Sequence, residues 1–160
     1  MRITQIVEQT PEVQFKEGHS VVPDSVAVQL TEVTFAYEGQ TQNALDGINL
    51  TVQAGQNVAI LGRTGCGKST LLQLLTRAWD PRQGQILFNT TPLTDFNEQT
   101  LRKMVSVVPQ RVHLFSATLR DNLLLASPTA SDEALCAVLE KVGLHKLLED
   151  DGLNAWLGEG

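Results

Sequence analysis

Cysteine is scarce: the 160 residues hold two, Cys66 and Cys136, far apart in sequence. That excludes a small disulfide framework or a closely spaced cysteine metal site and fits a reducing compartment. The three histidines, His19, His113 and His145, share no ligand spacing and read as ordinary loop or surface residues. No apolar run approaches the roughly 20 residues that span a bilayer, and the N-terminus lacks the apolar core of a signal peptide. The segment itself is therefore expected to be soluble and cytosolic. Positive charge is in deficit: 12 Lys and Arg stand against 18 Asp and Glu, for a net charge of −6. Nucleic-acid surfaces demand clustered basic residues, so no nucleic-acid partner is expected. Internal repeats and low-complexity tracts are missing too. What remains is an ordinary composition, 42% hydrophobic and 19% charged, at about the size of one domain able to bury a core.

The stretch Gly62-Arg63-Thr64-Gly65-Cys66-Gly67-Lys68-Ser69-Thr70 organises the chain. It fits the phosphate-binding pattern G-x-x-x-x-G-K-[ST] and lies between a strand-like and a helix-like run. Upstream, the short apolar run Asn57-Val58-Ala59-Ile60-Leu61 suits a buried strand. Downstream, Leu71, Leu72, Leu74 and Leu75 recur at helical spacing. Glycines at 62, 65 and 67 let the backbone turn tightly and aim successive N–H groups inward. The helix beginning near Lys68 adds its positive end to the same concavity. Such a seat suits a polyphosphate, with Lys68 reaching the β- and γ-phosphates and the Ser69 hydroxyl ligating Mg²⁺, a hard cation that prefers oxygen. Cys66, inside the loop, reads as a reactive thiol that bound nucleotide would cover, or alternatively as a small inert apolar residue.

Residues 1–24 are mixed and polar, interrupted by Pro11, Gly18 and Pro23, and read as a linker or the tail of something upstream. Alternation of Val26, Val28, Leu30, Val33 and Phe35, then of Ile48, Leu50 and Val52, predicts antiparallel strands with one buried face, joined through a turn at 39–43. The loop helix is expected to end near Trp79, before the turn cluster Asp80-Pro81-Arg82-Gln83-Gly84. Next come a strand over 85–88, a short helix over 97–104, a buried strand Val105-Ser106-Val107-Val108 stopped by Pro109, and a helix over 118–125. Ser131 can cap a further helix carrying Asp132 and Glu133 in its first turn, burying Leu135, Val138, Leu139 and Val142, and ending at Gly143. The acidic run after Leu147-Leu148 reads as a solvated helix end.

In order, Val33-Thr34-Phe35-Ala36-Tyr37, Ala44-Leu45-Asp46-Gly47-Ile48, the phosphate loop, Asp80-Pro81-Arg82-Gln83-Gly84 and Val107-Val108-Pro109-Gln110 follow one another as in the ATP-binding domain of ABC transporters, particularly exporters. The chain resembles that family over residues 25–160. Finer details, in 61–68, 74–80 and 110–118, resemble heterodimeric bacterial exporters of small thiols, glutathione or cysteine. The resemblance implies an α/β fold of the phosphate-loop NTPase class, ABC type. Its parts would be an antiparallel β subdomain, an incomplete parallel core sheet and the start of a helical subdomain. It also implies that residues 62–70 bind ATP, with Lys68 and Gln110 catalytic and Ser69 and Gln110 approaching Mg²⁺. Tyr37, which as a lone residue ending a strand would read as an edge-packing aromatic, falls where the family stacks adenine.

Implied partners are a second, heterodimeric ATP-binding domain closing face to face around ATP and a membrane domain upstream in the same polypeptide, met through the loop around Gln110. The place is the cytoplasmic face of the bacterial inner membrane. The family's signature sequence, its apolar strand ending in Asp-Glu and its switch histidine do not occur, so the chain reads as truncated just before the signature and as inactive by itself. An alternative is a nucleotide-binding regulatory module without turnover, or a soluble ABC ATPase without a transport role. A phosphate-loop kinase or GTPase comes third.

Overall fold

The computed structural model describes residues 13–15, 17–18, 21–110 and 112–158; His19 and most of the expected linker lie outside them. Two compact units divide the chain, residues 1–107 and 108–160, and each has its own apolar cluster.

In the first unit the alternating segments form strands as expected. β1 (Val28–Phe35) and β2 (Leu45–Val52) pair antiparallel, as do β1 and β3 (Gln83–Phe88), and a two-residue β4 (Thr91–Pro92) completes the order β2-β1-β3-β4. Leu30, Val33 and Phe35 of β1 are buried, and their unequal spacing has a cause. A register shift falls between Leu30 and Val33 on one side and between Thr31 and Thr34 on the other, with Glu32 at φ 49°. The bulge absorbs one residue and returns Val33 to the buried face. Gly84 lies against it: a Cβ there would strike the carbonyl oxygens of Thr31 and Glu32, so a side chain is excluded by contact as well as by its φ of 78°.

Over this sheet lies α1 (Lys68–Leu75), which buries Leu71 and Leu74 in one cluster with Phe35, Leu45, Ile86, Phe88 and Leu101. Truncating Leu74, fully enclosed at 0% exposure, would cost about 2–5 kcal/mol. The helix stops four residues short of Trp79. Arg77 adopts φ 53°, and the Ala78 N–H donates to the Gln73 carbonyl and the Arg77 N–H to that of Leu74. This is a Schellman closure with arginine at the left-handed position that glycine usually takes. The buried guanidinium compensates: it donates to Asp80, to the carbonyls of Gln14 and Thr94, and lies 4.5 Å from the Phe15 ring centroid. α2 (Glu98–Met104) follows, with the Asn97 side chain accepting from the Thr100 N–H at 2.9 Å.

The two runs expected as buried core strands are otherwise. Residues 57–61 and 105–108 carry no ladder, and Val58 is 44%, Leu61 90% and Val108 92% exposed. Among the described residues no strand lies beside either run to take its N–H and C=O groups. Without a ladder partner, an apolar run of strand composition stays irregular.

In the second unit β5 (Ala117–Thr118) pairs antiparallel with β6 (Trp156–Leu157). A capping box at Thr118 and Asp121 opens α3 (Leu119–Leu124), and Ser131 caps α4 (Asp132–Lys141). α4 ends at Gly143 as expected, through a second Schellman closure from the Leu144 N–H to the Leu139 carbonyl. Its buried face is narrower than the sequence suggested. Leu135 and Leu139 pack with Leu119 and Leu153, whereas Val138 and Val142 are exposed. A short 3-10 turn (His145–Leu148) precedes exposed Glu149 and Asp150, so the acidic run is a solvated helix end.

Candidate functional site

The loop 62–67 wraps the N-terminus of α1, and that terminus differs from those of the other α-helices described. α2, α3 and α4 each have a side-chain cap. α1 begins at Gly67 with no side-chain cap and no acidic residue in its first turn. Its leading N–H groups and its positive end are thus left for something anionic. Gly67 has φ 93°, and a Cβ there would come within 2.5 Å of the Ala44 carbonyl oxygen and 2.7 Å of Leu45. Only glycine lets the loop sit against the start of β2. Gly65 also has positive φ, with open space around it.

Across this loop lies Lys68. Its ammonium donates to the carbonyls of Gly62 (2.8 Å) and Arg63 (2.7 Å) and stands 3.5 Å from the Cys66 sulfur. Arg63, Thr64 and Cys66 are exposed, as is Ser69, whose hydroxyl offers a hard oxygen at the first turn of α1. A metal-binding cluster of His, Cys, Asp and Glu is absent among the described residues. The Ser69 hydroxyl, one hard oxygen beside the loop, fits a phosphate-borne Mg²⁺ that takes a single protein ligand. On its apolar side the loop opens on a groove of about 380 Å³ lined by Ile48, Leu50, Val58, Ile60 and Leu71 among others.

Tyr37 stands just beyond β1, half-buried. Its hydroxyl donates to Gln73 Oε1 (2.8 Å) and lies 2.9 Å from the Thr70 hydroxyl, both on α1. Its ring meets Phe35 and Trp79 nearly at right angles, at centroid separations of 5.1 and 6.0 Å. Thr70, expected among the nucleotide-binding residues, is 5% exposed, and its side chain faces the tyrosine. Gln110 belongs to the second unit and is exposed, as are His113 and His145. Both cysteines are free. Sequence reasoning missed Gln73 and Arg77. Gln73 carries no motif, and Arg77 could have been suspected only from Asp80 three residues on.

An uncapped helix behind a glycine loop, carried on an α/β scaffold with a lysine across it, defines a phosphate-loop nucleotide-binding domain. Its kind is given by comparison: the ABC transporter family model matches residues 45–155, and the chain belongs to that family. It is 63% identical over its whole length to the glutathione/L-cysteine transport system ATP-binding/permease protein CydC of Escherichia coli. Against the protein of the same description in Haemophilus influenzae it is 43% identical over 99% of the chain. The solved structure of a bacterial Atm1-family ABC exporter with ATP bound superposes with a TM-score of 0.87 at 28% identity, over 98% of this chain. The chain spans 28% of the length of each of these three proteins. Among the described residues no helix is long and apolar enough to cross a membrane.

Proposed function

We propose that the loop around α1 holds the triphosphate of ATP, and that in the natural full-length protein its hydrolysis drives export of a small thiol, glutathione or cysteine. One observation carries the nucleotide reading: the α1 N-terminus is uncapped, free of acidic residues and spanned by Lys68. The backbone N–H groups of residues 62–70 would cradle the phosphates. Lys68 would exchange the Gly62 and Arg63 carbonyls for β- and γ-phosphate oxygens. Ser69 would ligate Mg²⁺, with the Gln110 side-chain carbonyl approaching the ion and the attacking water, and Tyr37 would lie under adenine. Mg²⁺, when bound, neutralises phosphate charge and orients the γ-phosphoryl group. The chain's own contribution is position and field: fixed donors, supplied without reorganisation, aimed at oxygens whose charge grows.

The thiol cargo rests on 63% identity to a relative of that description. From the same likeness we take residues 25–160 as the first part of an ATP-binding domain and residues 1–24 as the link from a membrane domain. The domain would work at the cytoplasmic face of the bacterial inner membrane, opposite the ATP-binding domain of a partner subunit. The region around Gln110 would face the membrane domain.

The test is Lys68→Ala in the full-length protein, reconstituted with its partner. Losing a charge-assisted contact worth on the order of 1.5–3 kcal/mol should lower ATP affinity or turnover at least about tenfold. It should also abolish ATP-driven glutathione or cysteine uptake into inverted vesicles. Unchanged ATP binding and transport in that variant would reject the assignment.

A further inference from the structure

Resting on the reading of Tyr37 as the adenine platform, we infer that Gln73 is its positioning residue, tying the base platform to the phosphate-loop helix. Gln73 lies one and a half turns into α1 and exposed, where a polar side chain needs no explanation. Yet its Oε1 accepts the Tyr37 hydroxyl at 2.8 Å, across 36 residues of sequence. With that proton committed to Gln73, the phenol oxygen accepts from the Thr70 hydroxyl at 2.9 Å, so both capacities of the group are used. At its other end Tyr37 is equally held: its carbonyl accepts from the Gln40 N–H (3.1 Å) and the Arg82 guanidinium (3.3 Å). The ring between is fenced by Phe35 and Trp79. A tyrosine ring has two torsions to lose on stacking, and here both are settled beforehand by groups on α1 and β1. Such preorganisation raises affinity by removing an ordering cost that binding would otherwise meet.

The same bond makes the distance from base to phosphate a property of one rigid piece. Thr70 and Gln73 sit one and four positions past Ser69 on the helix whose first turn is the phosphate seat. A displacement of Tyr37 relative to Lys68 therefore requires breaking the hydroxyl contacts. Gln73 consequently acts only on ligands that carry a base. It should be silent toward the phosphate chain alone, which separates positioning from a general effect on helix stability.

The experiment compares Mg-ATP with Mg-tripolyphosphate binding to the full-length protein for the parent, Tyr37→Phe, Gln73→Leu, the double variant and Gln73→Glu. Tyr37→Phe keeps the ring and removes the tie; Gln73→Glu keeps an acceptor. Both Tyr37→Phe and Gln73→Leu should weaken Mg-ATP about three- to tenfold, the range expected for one net hydrogen bond. Because Tyr37→Phe already removes the contact that Gln73→Leu removes, the double variant should be no weaker than Tyr37→Phe. Gln73→Glu should restore parent affinity, and tripolyphosphate affinity should stay at the parent value throughout. Parent-like ATP binding in Gln73→Leu overturns the inference, whatever Tyr37→Phe does, as does an equal loss toward tripolyphosphate. Should the parent itself bind ATP no better than tripolyphosphate, the adenine-platform reading fails first and takes the inference with it. Lys68→Ala still tests the phosphate seat independently.

Discussion

Cys66 stands in the loop with its side chain exposed and the Lys68 ammonium 3.5 Å from its sulfur, whereas Cys136 on α4 is half-buried against the Leu135 and Leu139 cluster. Access alone orders their reactivity toward maleimide: Cys66 should label several-fold faster, a nucleotide seated on the loop should slow it by covering the sulfur, and Cys136 should not respond. Mass-spectrometric site assignment on the full-length protein, with and without saturating Mg-ATP, measures all three. Equal labelling of the two cysteines would overturn the ordering by access, and no protection by ATP would remove the loop from the nucleotide's path. At this scale the loop's shape was legible, because a tight turn into an uncapped helix start needs glycine at fixed spacing, and Gly65 and Gly67 take the positive φ that the pattern implies. Gln73 and Arg77 were not. Each does its work through a partner distant in sequence, Tyr37 for one and the Gln14 and Thr94 carbonyls for the other, and no local pattern encodes such a meeting. The left-handed backbone of Arg77 is the sharper case, since its sequence position favours nothing but continued helix.

Helix starts were legible in the sequence and apolar runs were not, and the difference is local versus distant satisfaction. Asn97, Thr118 and Ser131 each accept from an N–H in the first turn of their own helix, three residues on, a cap worth about 1 kcal/mol each. A strand such as 57–61 depends on neighbours elsewhere, so its composition announces a ladder without supplying one. The start of α4 adds a pH dependence. The Arg120 guanidinium, donating to Asp132 at 2.7 and 3.0 Å, holds that carboxyl below its ordinary range. Glu133 is lowered by its own backbone N–H and then by the Ser131 hydroxyl. Both are depressed in the folded state. Their stabilisation is therefore complete above the unfolded values, about 3.9 for Asp and 4.3 for Glu, and is lost as pH falls through the folded ones. Both groups are exposed, so the effect is small at neutral pH. Asp132→Asn should lose less stability than the parent between about pH 5 and pH 3, read from urea midpoints. Parallel acid loss in the two proteins would show that the Arg120 pair does not contribute.

At the scale of the molecule, the antiparallel sheet with α1 on it and the separate cluster around Leu119, Leu135, Leu139 and Leu153 are each internally packed. The segment that leads into the phosphate loop is not. Residues 57–61 reach Gly62 with every side chain exposed and no ladder among the described residues, and the groove beside them is lined by Ile48, Leu50, Val58 and Ile60. A binding loop is only as well placed as the elements at its two ends. Here one end is α1, fixed by Leu71, Leu74 and the Tyr37 contacts, and the other is an unsupported strand-like run. Phosphate donors that must be ordered at the moment of binding lose affinity by the cost of ordering, roughly 1–2 kcal/mol per residue fixed. For the four or five residues before the loop that is enough to cancel most of a micromolar interaction, about 8 kcal/mol. We therefore expect the 160-residue chain, purified by itself, to bind Mg-ATP at least about a hundredfold more weakly than the full-length protein and to release no phosphate from it. Isothermal titration of both proteins and a coupled phosphate assay on the homogeneous chain provide the comparison. Matching affinities would mean that the loop is held from the α1 side alone. Sustained hydrolysis by the chain itself would mean that its own residues complete the catalytic site, against the reading in which the attacking water is activated by groups beyond those described.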